Sequence, residues 1–350
     1  FPEDASILSL LKTCTKQKNL QEGSRIHGDL LSKGWLHKDI RIGNSLVGLY
    51  AKCGAILKAQ EVFDELPCKD VISWNALITG YSQQGKCGDI TIKWFEEMKQ
   101  QGFSPNVVTF ISALKACSCS CSSSNTNIEI CEKGKELHAC FASMGLLQEN
   151  VLVGTTLVDM YVKCGDLSRA QGVFDMLRER NVVTWTSLIS GYAQHGCGEE
   201  AISCYEEMQQ EGISPNPVTF LCILKACGKT GAILKGEEIH AQIVRKGFLL
   251  GTEHTPVRNA LVDMYAKCGA FEKAEEVFRQ SPVWNVVSWT ALISGYTQHG
   301  RGHEALECFE MMERNGFWPN VVTYLCILKA CGLAGAIGKG EKIHAEIVRE

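Results

Sequence analysis

The chain has 350 residues, 45% of them apolar, which is enough for a packed core and excludes a wholly disordered polymer. Its 35 basic and 39 acidic residues leave a net charge of -4, so no field of the whole molecule marks a polyanionic partner. Most of the 18 cysteines recur at fixed offsets inside repeated phrases of a long chain, which argues against the disulfide framework of a small secreted domain and reads them as reduced core thiols. No apolar run approaches the ~20 residues that span a bilayer. The chain opens at Phe1 with no leader-like segment, as an excised fragment does.

From residue 4 the chain reads as units of three lengths. A long unit (4–39) is followed by a short one (40–70) that carries the phrase LYAKCG and then AQEVF, and by a standard one (71–106) reading VISWNALITGYSQQG and FEEMKQQGFSPN. The order returns as long 107–150, short 151–181 and standard 182–216, and again as long 217–254, short 255–285 and standard 286–320. A last long unit, 321–350, is truncated.

Within 286–320, Trp289, Leu292, Ile293 and Tyr296 fall at i, i+3, i+4 and i+7, and Ala305, Leu306, Phe309 and Met312 form a second stripe. Gly300 punctuates the turn between the two, and Gly316 with Pro319 stops the second helix. One such hairpin cannot bury both stripes alone. Stacking on its neighbours supplies the core, which predicts an all-α fold, a right-handed α-solenoid of helix-turn-helix repeats forming one array over 1–350.

The insertion 117–131, CSCSCSSSNTNIEIC, is placed as a mobile loop in the turn between two helices. Thiolates at alternate positions suit soft metals, but the spacing is not the CxxC of chelating loops, and no metal site is assigned. His27, His138, His240 and His344 occur once per long unit, too far apart in a solenoid to cluster, and are read as packing residues, as are Cys53, Cys164 and Cys268.

Repeats of 35 residues with this wording resemble the pentatricopeptide repeat family, and the alternation of long, short and standard units resembles its PLS subclass of plant organelle RNA editing factors. The resemblance covers essentially all of the chain. Tetratricopeptide units, of about 34 residues, carry a different Trp/Leu/Gly/Tyr pattern and do not alternate.

The resemblance implies single-stranded RNA binding at about one base per repeat, through the fifth residue of each unit's first helix and the unit's last residue. In the short units these pairs are Asn44 with Asp70, Thr155 with Asn181, and Asn259 with Asn285. In the standard units they are Asn75 with Asn106, Thr186 with Asn216, and Thr290 with Asn320. By the same resemblance Thr/Asn favours adenine, Asn/Asp uracil and Asn/Asn cytosine, giving U-C-n-A-A-n-C-A with n at long units. Asn or Asp at a junction is also what a helix N-cap requires. A cap alone does not explain Thr or Asn inside the helix of all six short and standard units, where the long units hold Leu8, Ile111, Leu221 and Leu325. The second residues Ile72, Leu152, Val183 and Val287 would sandwich the bases, or equally pack between repeats; Arg41 and Pro256 stand there in two short units.

Many PLS proteins end in a zinc cytidine deaminase. Its H-x-E occurs here only by chance at His344 to Glu346, with no P-C-x-x-C after it, so the expectation is no catalysis and no cofactor. The resemblance further implies a mitochondrial or chloroplast location, with the transit peptide outside this chain, no membrane attachment, and a small organellar editing factor docking on long units. The alternative reading is a protein-interaction scaffold, which would need an apolar or carboxylate-clamping groove.

Overall fold

Most of the helices that open a repeat begin where a short polar side chain takes up the first free backbone amides. A computed structural model describes residues 2–84, 88–120, 127–145, 150–249, 254–281 and 283–349, and among these it forms twenty α-helices and no strand. The chain is an all-α solenoid of helix pairs. It falls into two compact units, Phe1–Arg180 and Asn181–Glu350.

The first unit holds α1 (Pro2–Gln17), α2 (Leu20–Ser32), α3 (Ile40–Lys52), α4 (Ile56–Glu65) and α5 (Val71–Gln83). It continues with α6 (Gly88–Gln100), α7 (Val107–Ser120), α8 (Asn127–Ser143), α9 (Val151–Lys163) and α10 (Leu167–Met176). The second holds α11 (Val182–Gln194), α12 (Gly198–Gln210), α13 (Pro217–Thr230), α14 (Ile233–Arg245) and α15 (Thr255–Lys267). After these come α16 (Phe271–Arg279), α17 (Val286–Gln298), α18 (Gly302–Arg314), α19 (Val321–Ala334) and α20 (Ile337–Arg349). In each unit the odd-numbered helices pack in sequence, each on the next, and form one layer. The even-numbered helices form a second layer, packed against the odd helices beside them.

Large side chains at repeating positions make the core. Trp74 and Trp185 on the standard helices and Tyr50, Tyr161 and Tyr265 on the short ones are almost fully buried, as are Phe63 and Phe174. Burial of each such side chain contributes roughly 1.5–3 kcal/mol. Between odd helices there is room for little. An added Cβ on Gly295 of α17 would lie 2.4 Å from Ala266 Cβ and 3.1 Å from the Ala266 carbonyl carbon on α15. The turns that close odd helices use the left-handed region, as at Gly269, where φ is +76°.

The insertion differs from its sequence reading at both ends. Cys117 to Ser120 continue α7, and Asn127 to Cys131 lie in α8, so these stretches are helix, not loop. The reason is packing: Cys117 and Ser118 are buried, and Ser118 Oγ donates to the Leu114 carbonyl at 3.2 Å. Residues 121–126, Cys121 among them, lie outside the described residues.

The repeated histidines pack against the tyrosines of the following short helices. His27, His138 and His240 each place Nδ1 at 2.9 Å from the hydroxyl of Tyr50, Tyr161 and Tyr265 respectively. Burial pushes Tyr161 and Tyr265 up to about 12 and holds all three imidazoles below the usual 6.5. The described cysteines are free thiols, with Cys53, Cys164 and Cys268 half-buried at the ends of α3, α9 and α15.

Gly295→Ala is expected to cost about 1–3 kcal/mol of stability, read from the urea midpoint. Gly332→Ala, with open space around the added carbon, should leave the midpoint unchanged or raise it slightly. Equal midpoints for the two variants would contradict the close approach of α17 to α15. The histidine pairs make stability depend on pH. Because the folded imidazoles bind protons less readily than unfolded ones, their contribution is complete above the usual histidine pKa and is lost as pH falls through and below it. Thermal melts should show a lower Tm at about pH 5.5 than at about pH 7.5, and the opposite order would contradict the neutral buried pairs.

Candidate nucleic-acid interface

The last residue of each short and standard repeat caps the helix that opens the next. Asp70 Oδ1 accepts from Ser73 N at 2.8 Å, Asn216 Oδ1 from Thr219 N at 2.9 Å, Asn285 Oδ1 from Ser288 N at 2.9 Å, and Asn320 Oδ1 from Thr323 N at 2.9 Å. Asn106 and Asn181 cap in the same way, each accepting from two backbone amides. The N-cap reading of these residues is therefore correct, and it coexists with a second set of contacts.

Those contacts join the cap to the fifth residue of the preceding odd helix. Asn44 Nδ2 donates to both oxygens of Asp70, at 3.1 and 3.2 Å. Asn75 Nδ2 donates to Asn106 Oδ1 at 3.1 Å, and Asn259 Nδ2 to Asn285 Oδ1 at 3.2 Å. Where the fifth residue is threonine the link runs through a second hydroxyl. Thr186 and Thr219 share a hydrogen bond of 2.7 Å, and Thr219 Oγ1 donates to Asn216 Oδ1 at 3.0 Å. Thr290, Thr323 and Asn320 repeat this relay at 2.8 and 3.0 Å. Thr155 is buried on α9, where its hydroxyl donates to the Val151 carbonyl at 2.7 Å; Asn181 belongs to the other compact unit.

Capping fixes which atom each last residue presents. An asparagine whose Oδ1 is taken by backbone amides keeps its Nδ2 as an outward donor, and no described residue accepts from Nδ2 of Asn106, Asn181, Asn216, Asn285 or Asn320. Asp70 has only acceptors to offer, and beside it the buried Asn44 Oδ1 has no hydrogen-bond partner. Two kinds of edge result: a donor edge at the Asn-ended repeats and an acceptor edge at Asp70.

In the second unit these groups line a cleft of about 820 Å³. Asn259, Asn285, Thr290 and Asn320 supply polar groups, and Val287 and Val322 stand between them. The second residues of the repeats are exposed although apolar: Ile72 by 64%, Leu152 by 60%, Val183 by 54% and Val287 by 58%. Arg41 and Pro256 are exposed at the same position. Sequence reasoning missed two parts of this arrangement. Val108, Val218 and Val322 of the long units continue the exposed apolar row, and they follow the same one-after-the-boundary register. Thr109, Thr219 and Thr323 are wholly buried third residues of long units whose hydroxyls bond the neighbouring pairs, a role that no spacing rule announces. Of the aliphatic fifth residues, Ile111 is buried, Leu8 and Leu221 are half-buried, and Leu325 is exposed.

A solenoid of capped helix pairs, with junction residues that line a cleft in the second unit, is the architecture of a helical repeat protein with a ligand groove. The PPR repeat family model matches residues 69–119, 180–229 and 285–332, and the PPR repeat model matches 44–71, 155–182, 218–248 and 257–283. The chain belongs to the pentatricopeptide repeat family. It is 37% identical over 345 residues to a chloroplastic pentatricopeptide repeat-containing protein of Arabidopsis thaliana, covering 99% of this chain and 54% of that protein. A mitochondrial relative from the same plant is 36% identical, covering 91% of this chain and 48% of the relative. The chain thus spans about half the length of the curated relatives it matches. Among solved structures, PPR10 in complex with an 18-nt psaJ RNA element superposes with a TM-score of 0.74 at 19% identity, covering 92% of this chain and 46% of that one. A further structure, of PPR10 from maize, gives 0.67 at 19% identity, covering 93% and 46%.

Proposed function

We propose that this chain binds single-stranded RNA by sequence, about one base for each short or standard repeat, and serves as the recognition module of a plant organellar C-to-U editing factor of the PLS type. The observation that carries this reading is the fixed polarity of the junction residue. A donor at the last position requires an acceptor on the base, which adenine N1 and cytosine N3 provide. An acceptor there requires a base N–H, which uracil provides at N3. Asn216 and Asn320 then sit opposite adenines and Asn106 and Asn285 opposite cytosines, while Asp70 with Asn44 sits opposite uracil. Thr155 with Asn181 takes the remaining adenine, and the order is U-C-n-A-A-n-C-A.

Ile72, Leu152, Val183 and Val287 hold the bases between them, which is consistent with their exposure beside polar neighbours. PPR10, whose fold this chain shares, was solved with an RNA element, and the plant relatives carry chloroplastic or mitochondrial names, which supports an organellar RNA as the ligand. The chain contributes binding and positioning, and the editing chemistry comes from elsewhere. A small organellar editing factor docks on the long units, whose fifth residues offer no hydrogen bond to a base.

Fluorescence anisotropy with labelled UCnAAnCA RNA should give selective binding over a scrambled RNA that survives moderate salt. In the double variant Thr186→Asn, Asn216→Asp, preference at the fifth base should move from A towards U by roughly 1–3 kcal/mol across an oligonucleotide series substituted at that base. An unchanged preference sinks the assignment.

A further inference from the structure

The three standard repeats place a tryptophan at the same helical position, and its surroundings differ in each copy. In the first, Trp94 fills the space beside Trp74, with ring centroids 5.9 Å apart, and stacks on Tyr81 at 6.3 Å. Lys69 caps the ring of Phe63 at 5.0 Å. In the second copy Arg180 caps Phe174 at 4.5 Å, and Trp185 Nε1 donates to Glu211 Oε2 at 3.1 Å.

In the third copy the capping cation and the tryptophan's acceptor are both changed, and the Trp94 position holds cysteine, as it does at Cys204 in the second copy. Cys308 stands where the first copy has Trp94, Trp284 replaces the capping cation, and Asn315 replaces Glu211. A cleft of about 460 Å³ opens between α16, α17 and α18, within the range of small-ligand sites. Trp284 stacks on Phe278 at 5.4 Å with the ring planes 6° apart, and Trp289 meets it edge-on at 5.9 Å. Trp289 is 3% exposed and lines the cleft, yet its Nε1 has no hydrogen-bond partner. Trp74 Nε1 is also unpaired, but in that copy the Trp94 ring occupies the space.

The charges in the cleft do not cancel. Arg301 is paired with Glu304 at 2.8 Å and Arg279 with Glu275 at 3.6 Å, while Glu307 pairs with no described residue. The other copies have Lys93 and Ser203 at the position of Glu307. The cleft therefore offers aromatic faces, one uncompensated carboxylate and one buried N–H that needs an acceptor. A cation on an aromatic wall beside a carboxylate matches the first two, and a carbonyl matches the third.

We propose that this cleft binds an arginine-bearing extended segment of a partner protein. The guanidinium stacks in the aromatic cleft and donates to Glu307, and a main-chain carbonyl of the segment accepts from Trp289 Nε1. The residues involved are separate from those lining the base-reading cleft, so this contact adds a protein partner to whatever that cleft holds.

The test is an indole ¹H–¹⁵N spectrum of the full chain, with the Trp284 and Trp289 signals assigned through Trp284→Lys and Trp289→Phe. Acetyl-Gly-Gly-Arg-Gly-Gly-amide should shift both signals saturably, and the same peptide with Gln for Arg should bind about tenfold more weakly. Glu307→Gln, at an exposed side chain, should weaken the Arg peptide by a similar factor, and Trp284→Lys, which restores the cation of the other copies, should abolish the Trp289 shift. No saturable shift in the unmodified chain overturns the proposal, as does equal binding of the Arg and Gln peptides. Shifts produced by an oligouridylate and not by the Arg peptide would also overturn it, in favour of nucleic acid.

Discussion

One hydrogen-bonded junction carries both the fold and the site: the carboxyl or amide oxygen that caps an odd helix and also meets the fifth residue of the odd helix before it. Without a cap, the first backbone amides of each helix would be left unsatisfied, at a cost of about 1 kcal/mol per junction. With it, Asp70 and its counterparts Asn106, Asn285, Asn216 and Asn320 are held in one orientation by contacts on two sides. A side chain fixed by its own fold loses little entropy on meeting a ligand, so the requirement for capping pre-orients the polar group that each junction presents. The same contact couples a mutation at the groove to stability, since any replacement that cannot cap loosens a helix start.

The layered packing explains why the groove groups lie on the odd helices. These helices pack directly on one another, with glycines such as Gly295 permitting close approach, and so their first turns follow one another at a regular spacing. Even helices pack against the odd ones and carry the variable aromatic fill. That division lets Trp94 on α6 and Cys308 on α18, with Trp284 in the segment after α16, differ between copies while the junction residues keep their contacts.

Much of this was legible in the sequence, for definite physical reasons. The period and the i, i+3, i+4, i+7 stripes require paired amphipathic helices that stack, because a lone hairpin cannot bury them. The polar fifth and last residues stood out against Leu8, Ile111, Leu221 and Leu325 because a polar residue on a buried helix face needs a partner. What the sequence hid was local. Cys117 and Ser118 look like loop by composition, yet both are buried in α7, which runs on to Ser120. The threonine relays through Thr219 and Thr323 depend on two hydroxyls about a repeat apart meeting within 2.8 Å, which periodicity alone does not reveal. The open cleft beside Trp289 depends on Trp284 and Asn315 standing where the other copies have Lys69 or Arg180 and Gln101 or Glu211.

The central claim is that the polarity of the junction residue selects the base. Asp70→Asn tests it most directly, because it exchanges one oxygen for an NH₂ group, keeps a capping oxygen for Ser73 N, and keeps one of the two hydrogen bonds from Asn44 Nδ2, as in the Asn259 and Asn285 pair. Equilibrium binding to two RNAs that differ only in U or C at the first position should show preference for U in the unmodified chain. In the variant the preference should pass to C, with a change on the order of tenfold or more. Retained preference for U in a variant that still folds would contradict the account.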